Sequence, residues 1–134
     1  MKKLDLIIIF LITLAIFIVW RDAFLNFFAQ DDFIFIERFS QNNFLVDLKN
    51  TFGPPVVTHW RPFYNLYFVI AGNLFNKFYP GYHILTFVLH TGTGFLIYKI
   101  SRVLFKDTKL ALFSSIFYVI HPSHFVALFW VAGN

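Results

Sequence analysis

The 134-residue sequence contains no cysteine. Disulfides and thiolate metal sites are therefore excluded, and the redox state of the surroundings leaves no trace in the chain. Charge is scarce as well: 13% of residues are Asp, Glu, Lys or Arg, against 58% hydrophobic. Soluble domains carry about 25% charged and about 45–50% apolar residues, so this composition belongs to an integral membrane protein. The net charge is +4, but the basic residues sit at the edges of apolar runs rather than in a patch, which argues against nucleic acid as a partner. No internal repeat, linker or low-complexity tract is present.

What the chain has in abundance is apolar length. Leu4 to Trp20 is interrupted only by Asp5 and Thr13, and Ala23 to Ala29 extends the run. A helix needs roughly 20 such residues to cross a bilayer, so the first span is expected over 4–28. A signal peptide is the rival reading, but a cleavage site wants two small residues, and Phe27-Phe28-Ala29-Gln30 supplies one. An uncleaved anchor is expected. The second span is read over 82–105 and the third over 109–131, broken near Pro122. That break falls at a depth where lipid cannot satisfy freed carbonyls, so it should line a cavity. Around Gly92 and Gly94 small residues should permit close helix packing, with hydroxyls free to bond across helices.

Charge sets the orientation. Lys2, Lys3, Lys99, Arg102, Lys106 and Lys109 are six of the eleven basic residues and fall in two short segments. The positive-inside rule places these, and the N-terminus, in the cytoplasm, consistent with a cell inner or plasma membrane. The loop over 29–61 then faces outward. Its Phe33, Ile36 and Phe39 recur every third residue, as in short helices lying flat on a membrane. Gly53-Pro54-Pro55 forces a turn. Pro62 suits the first position of a helix, and 62–79, carrying Asn65, Asn73 and Lys77, reads as juxtamembrane rather than spanning.

Three groups could carry chemistry. Asp31 and Asp32 are either a helix N-cap or a general base with its positioning partner. Arg61, after His59 and Trp60, is either an interfacial anchor or a clamp for phosphate. His83 and His90 are two helical turns apart and share a face; His121 and His124 flank the break. Ionisable residues in spans usually face an interior or cavity, so all four are expected to line one. A metal, divalent or in haem, is not supported, because no carboxylate or Cys stands at ligand spacing beside them.

In order, these residues read Asp31-Asp32, His59-Trp60-Arg61-Pro62-Phe63, Tyr82-His83 with His90, His121-Pro122-Ser123-His124 and Trp130-Val131-Ala132-Gly133. The series resembles the N-terminal region of C-type (GT-C) membrane glycosyltransferases, in particular the O-mannosyltransferases with transmembrane helices and tetratricopeptide repeats and related bacterial proteins. The resemblance runs from the anchor to Asn134. It implies an all-α membrane protein, a partial GT-C fold with about three transmembrane helices plus short juxtamembrane helices in the first extracytoplasmic loop. It also implies a lipid-linked sugar, a polyprenyl-phosphate hexose such as mannose, as donor, and inverting transfer on the extracytoplasmic face. Asp31 would be the catalytic acid group of the pair, with Asp32 beside it. Arg61 and His59 would meet the donor phosphate, and His83, His90, His121 and His124 would line the cavity. Two positions depart from the pattern: Val126 stands where the family has Glu, and Phe63 where it has Leu. The family has many more spans, so the chain is expected to be a fragment, inactive alone, whose remaining transmembrane helices come from the same or a partner chain. The alternative is a non-catalytic membrane subunit or lipid-phosphate-binding protein.

Overall fold

The computed structural model describes residues 3–40, 43–53 and 61–133, and within them the chain is all-helical. Helix α1 spans Lys3–Trp20 and continues as a 3₁₀ turn over Arg21–Leu25. Ile8, Ile12, Ile16 and Trp20, one every four residues, form its buried stripe, while Leu4, Leu6, Phe10, Phe17 and Ile18 lie exposed around it. A helix apolar on every side but packed along one belongs in an apolar surround. The stretch read as a span over 4–28 thus stays helical to Leu25. Beyond it the backbone carbonyls meet distant groups instead: that of Asn26 lies 3.0 Å from His83 Nε2, and that of Ala29 accepts from the Trp130 indole (3.4 Å).

Helices α2 (Asp32–Ser40) and α3 (Phe44–Phe52) follow, both packed against α4 (Pro62–Phe75). Pro62 opens α4, and Asn76, at a φ of 51°, ends it with its N–H on the Gly72 carbonyl (2.9 Å). Asn tolerates positive φ better than most residues. Helix α5 (Tyr79–Phe105) then runs 27 residues, beginning three residues earlier than the apolar pattern suggested because Pro80 fits its first turn.

Lys106, left-handed at φ 54°, and Asp107 join α5 to α6 (Thr108–Ile120) as a tight hairpin. The Asp107 carboxylate caps α6 by accepting from the N–H groups of Leu110 (2.9 Å) and Lys109 (2.7 Å). Those two bonds hold its pKa below the usual carboxylate value. After His121 a 3₁₀ turn, Pro122–His124, leads into α7 (Phe125–Phe129), and the two halves are bent by 43°. Trp130 is extended and Val131–Gly133 closes as a 3₁₀ turn, so the segment read as one broken span over 109–131 is helical to Phe129.

Among the described residues two helices, Lys3–Leu25 and Tyr79–Phe105, are long and apolar enough to cross a membrane, or three if the bent pair counts as one. Helices α1, α5 and α6 share one core, built on Ile12, Ile16, Phe87, Tyr98 and Val119. A second core joins α2, α4 and the start of α5 through Phe39, Phe68 and Tyr82.

Of the two glycines in the middle of α5, Gly94 is the one held close by its neighbours. A Cβ at Gly94 would lie 2.6 Å from Val119 Cγ1 and 3.0 Å from Ile12 Cγ2, whereas one at Gly92 would meet nothing within 4 Å. The hydroxyl bonding across the helices also differs from expectation. Thr93 donates back to Leu89 in its own helix, and Ser115 of α6 donates to the Gly94 carbonyl (2.7 Å). Gly94→Ala is therefore expected to destabilise by about 1–3 kcal/mol through overpacking. Gly92→Ala, matched in chemistry, should be neutral or stabilising by up to about 1 kcal/mol. Thermal unfolding of the two variants in detergent separates them, and equal midpoints would contradict this packing.

Candidate functional site

The site is assembled where the link after α1 meets the C-terminal turn. Gln30, at a φ of 47°, swings the chain so that Asp31 sits at the N-terminus of α2. The Asp31 carbonyl accepts from Ile34 (3.0 Å) and Phe35 (3.2 Å), and its side chain is exposed. Its neighbour points the other way. Asp32 is 1% exposed, and its two oxygens accept separate backbone N–H groups, Ala29 at 2.8 Å and Ala132 at 2.6 Å. The second bond joins residues 100 apart in sequence.

Burial raises the Asp32 pKa above the ordinary 3.8, and prevails over the two N–H donors and the His83 charge, which pull it down. The adjacent acids are thus divided by environment: one carboxylate open to a reactant, the other fixed as a tie between distant segments.

Arg61 caps α4 and is exposed, with its guanidinium 6.0 Å from the centre of the Tyr64 ring, one turn on. Tyr64 donates to the Ala132 carbonyl (3.0 Å). Burial first, and then the Asp32 charge, push its phenol up to about 12 against the opposing charge of Arg61, so it remains a donor at neutral pH. Ala132 is therefore held through its N–H by Asp32 and through its C=O by Tyr64. These contacts gather Asp31, Asp32, Arg61 and the Trp130–Gly133 turn in one place. Beside them lies a cleft of about 420 Å³ lined by Asn26, Phe27, Ala29, Gln30, Phe129 and Trp130. His59, expected near the phosphate, lies outside the described residues.

The four histidines have different surroundings. His83 is buried, with Nε2 3.0 Å from the Asn26 carbonyl and its ring against Phe24. His90 Nε2 is 3.0 Å from the Val119 carbonyl, which also accepts from the Trp20 indole at 2.8 Å. A carbonyl only accepts, so both imidazoles carry their proton on Nε2. Val119 is the residue whose carbonyl would have received the N–H of Ser123 had α6 continued. The helix break is thus satisfied by protein groups from α1 and α5.

Ser123 instead turns its N–H to His121 Nδ1 (3.2 Å), which makes His121 the cap of the following 3₁₀ turn; His121 itself is exposed. His90 and His124 do meet, with ring centres 4.9 Å apart, and line a pocket of about 210 Å³ with Thr86, Thr93 and Tyr118. Among the described residues, no three His, Asp or Glu side chains converge as a metal ion would require.

Tyr64 and Asn26 escaped the sequence reading, and Ala132 entered it only as part of the Trp130–Gly133 segment. Tyr64 carried a signal, standing one helical turn after Arg61; a backbone amide such as that of Ala132 carries none. No family model, no curated protein and no solved structure matches this chain.

Proposed function

We propose that this chain is the donor-side part of a membrane glycosyltransferase that moves a sugar from a polyprenyl phosphate to a hydroxyl acceptor with inversion. The observation that carries the reading is the division of the acid pair: exposed Asp31 beside buried Asp32, with Arg61 brought to the same place through Tyr64 and Ala132. In the proposed step Asp31 takes the proton of the acceptor hydroxyl as its oxygen bonds to the anomeric carbon. The bond from that carbon to the phosphate oxygen breaks, and the electron pair leaves with the polyprenyl phosphate. The forked, permanently charged Arg61 guanidinium meets the charge that grows on the leaving phosphate. The two membrane-length helices suit an integral membrane protein with its N-terminus in the cytoplasm and the acid pair outside, and further helices, of the same or a partner chain, would cover the remaining apolar faces.

The test is donor turnover. The full chain, in proteoliposomes with a labelled polyprenyl-phosphate hexose and a hydroxyl-bearing peptide, should transfer label in the presence of its partner helices. Arg61→Ala should slow transfer by about 10²–10³-fold, as loss of one charge-stabilising donor does elsewhere. A donor neither bound nor consumed would overturn the proposal. A second reading, a non-catalytic lipid-phosphate-binding subunit, is favoured by Val126, which is exposed and apolar where the resembling enzymes carry an acid. Binding of the donor without turnover would select it.

A further inference from the structure

A second cavity, of about 390 Å³, lies between α2 and the α4–α5 link, lined by Phe27, Phe28, Phe33, Ile36, Glu37 and Lys77. It shares Phe27 with the cleft beside Asp31 but contains neither Asp31 nor Arg61. Phe33 and Glu37 stand one helical turn apart on α2, so they present one face. Lys77 enters from the opposite wall, just past Asn76, where α4 ends. The Phe27, Phe28 and Phe33 rings form a cluster, with centres 5.3 to 6.3 Å apart. No ion pair or hydrogen bond joins Glu37 or Lys77 to another described residue. The cavity thus offers one free negative charge, one free positive charge and aromatic faces, and its own charges do not neutralise each other.

Its height in the molecule is informative. Phe27 and Phe28 lie two and three residues past Leu25, where the first membrane-length helix ends, and both rings pack on Tyr79, where the second begins (5.2 and 6.2 Å). Two spans ending together mark the boundary of the hydrocarbon, where the headgroups of lipids lie. The geometry points to a site for the headgroup of a zwitterionic phospholipid, such as phosphatidylethanolamine. The lipid ammonium lies on Glu37 and the aromatic faces, and its phosphate lies on Lys77. One such headgroup answers both charges with no net charge of its own. An anionic headgroup would satisfy Lys77 but set its charge near Glu37. The volume also suits a small ligand, since such pockets run from about 300 to 1,000 Å³. This assignment stands apart from the sugar-transfer reading, because none of its charged residues belongs to that site.

Native mass spectrometry of the full chain tests it, with short-chain phosphatidylethanolamine and phosphatidylglycerol offered at equal mole fraction. The zwitterionic lipid should be retained in preference. Glu37→Gln and Lys77→Gln should each weaken its retention by about tenfold, the effect of one lost charge-assisted contact, and Glu37→Gln should shift the balance toward phosphatidylglycerol. Lys49→Gln, on α3, should change nothing. Both tested side chains are exposed, so helical content measured by circular dichroism should stay constant. Equal retention of the two lipids, or unchanged retention in both variants, would overturn the site. Displacement of the lipid by free phosphoethanolamine at millimolar concentration would overturn the lipid assignment in favour of a soluble zwitterion.

Discussion

Asp32→Ala is expected to destabilise the fold by about 2–5 kcal/mol, because it strands two backbone donors at once. The Ala29 and Ala132 N–H groups point at a carboxylate that is 1% exposed, and a buried donor left without a partner costs about 1–3 kcal/mol. Asp32→Asn should also lose stability, since its amide nitrogen would face one of those N–H groups with a donor of its own. The measurement is loss of helical signal against temperature in detergent, with Trp130 fluorescence following the C-terminal turn.

The pH dependence has a definite sign. Burial leaves the folded Asp32 with a pKa above the ordinary 3.8. The stabilising contribution of its protonated form is fully present below that ordinary value and is lost as pH rises through the folded value. The wild type should therefore lose stability relative to Asp32→Asn as pH rises from about 4 toward neutrality. A difference that stays flat, or grows in the opposite sense, would show that the two N–H donors outweigh burial.

How much of this was legible in the sequence depends on the range of each interaction. Local grammar reads directly: the apolar run of α1, Pro62 at a helix start, and the interruption of α6 before Pro122 are consequences of a few neighbouring residues. The shared face of His83 and His90 is also a local matter, given by their spacing of two turns. What that face meets is not. Trp20 and His90 converge on the Val119 carbonyl from 99 and 29 residues away, and no spacing rule connects an indole in one helix to a carbonyl freed in another. Gly92 and Gly94 look alike in sequence, yet only Gly94 faces Ile12 and Val119, because the rotation of α5 about its axis is set by its neighbours. The acid pair shows both sides of this. That adjacent side chains diverge follows from backbone geometry; that Asp32 is the one turned inward follows from Ala132, 100 residues on.

Asp31→Asn is expected to abolish transfer while leaving the fold intact, the reverse of the result at Asp32. Removing a general base costs about 10²–10⁴-fold in rate, and the amide cannot take the acceptor proton. Structurally the exchange is mild. Asp31 is exposed, its carbonyl bonds to Ile34 and Phe35 do not involve the side chain, and Asn is as good as Asp at a helix N-terminus. Its unfolding midpoint should match the wild type, and donor binding, which the proposal assigns to Arg61, should persist. Asp31→Glu keeps the carboxylate but displaces it by one methylene, so part of the rate should return. That combination of lost turnover, retained binding and partial rescue is what a proton acceptor produces and a structural residue does not. Wild-type turnover in Asp31→Asn would remove the base from the mechanism. The acid pair would then be a folding device alone: Asp31 starting α2 and Asp32 tying it to the C-terminal turn.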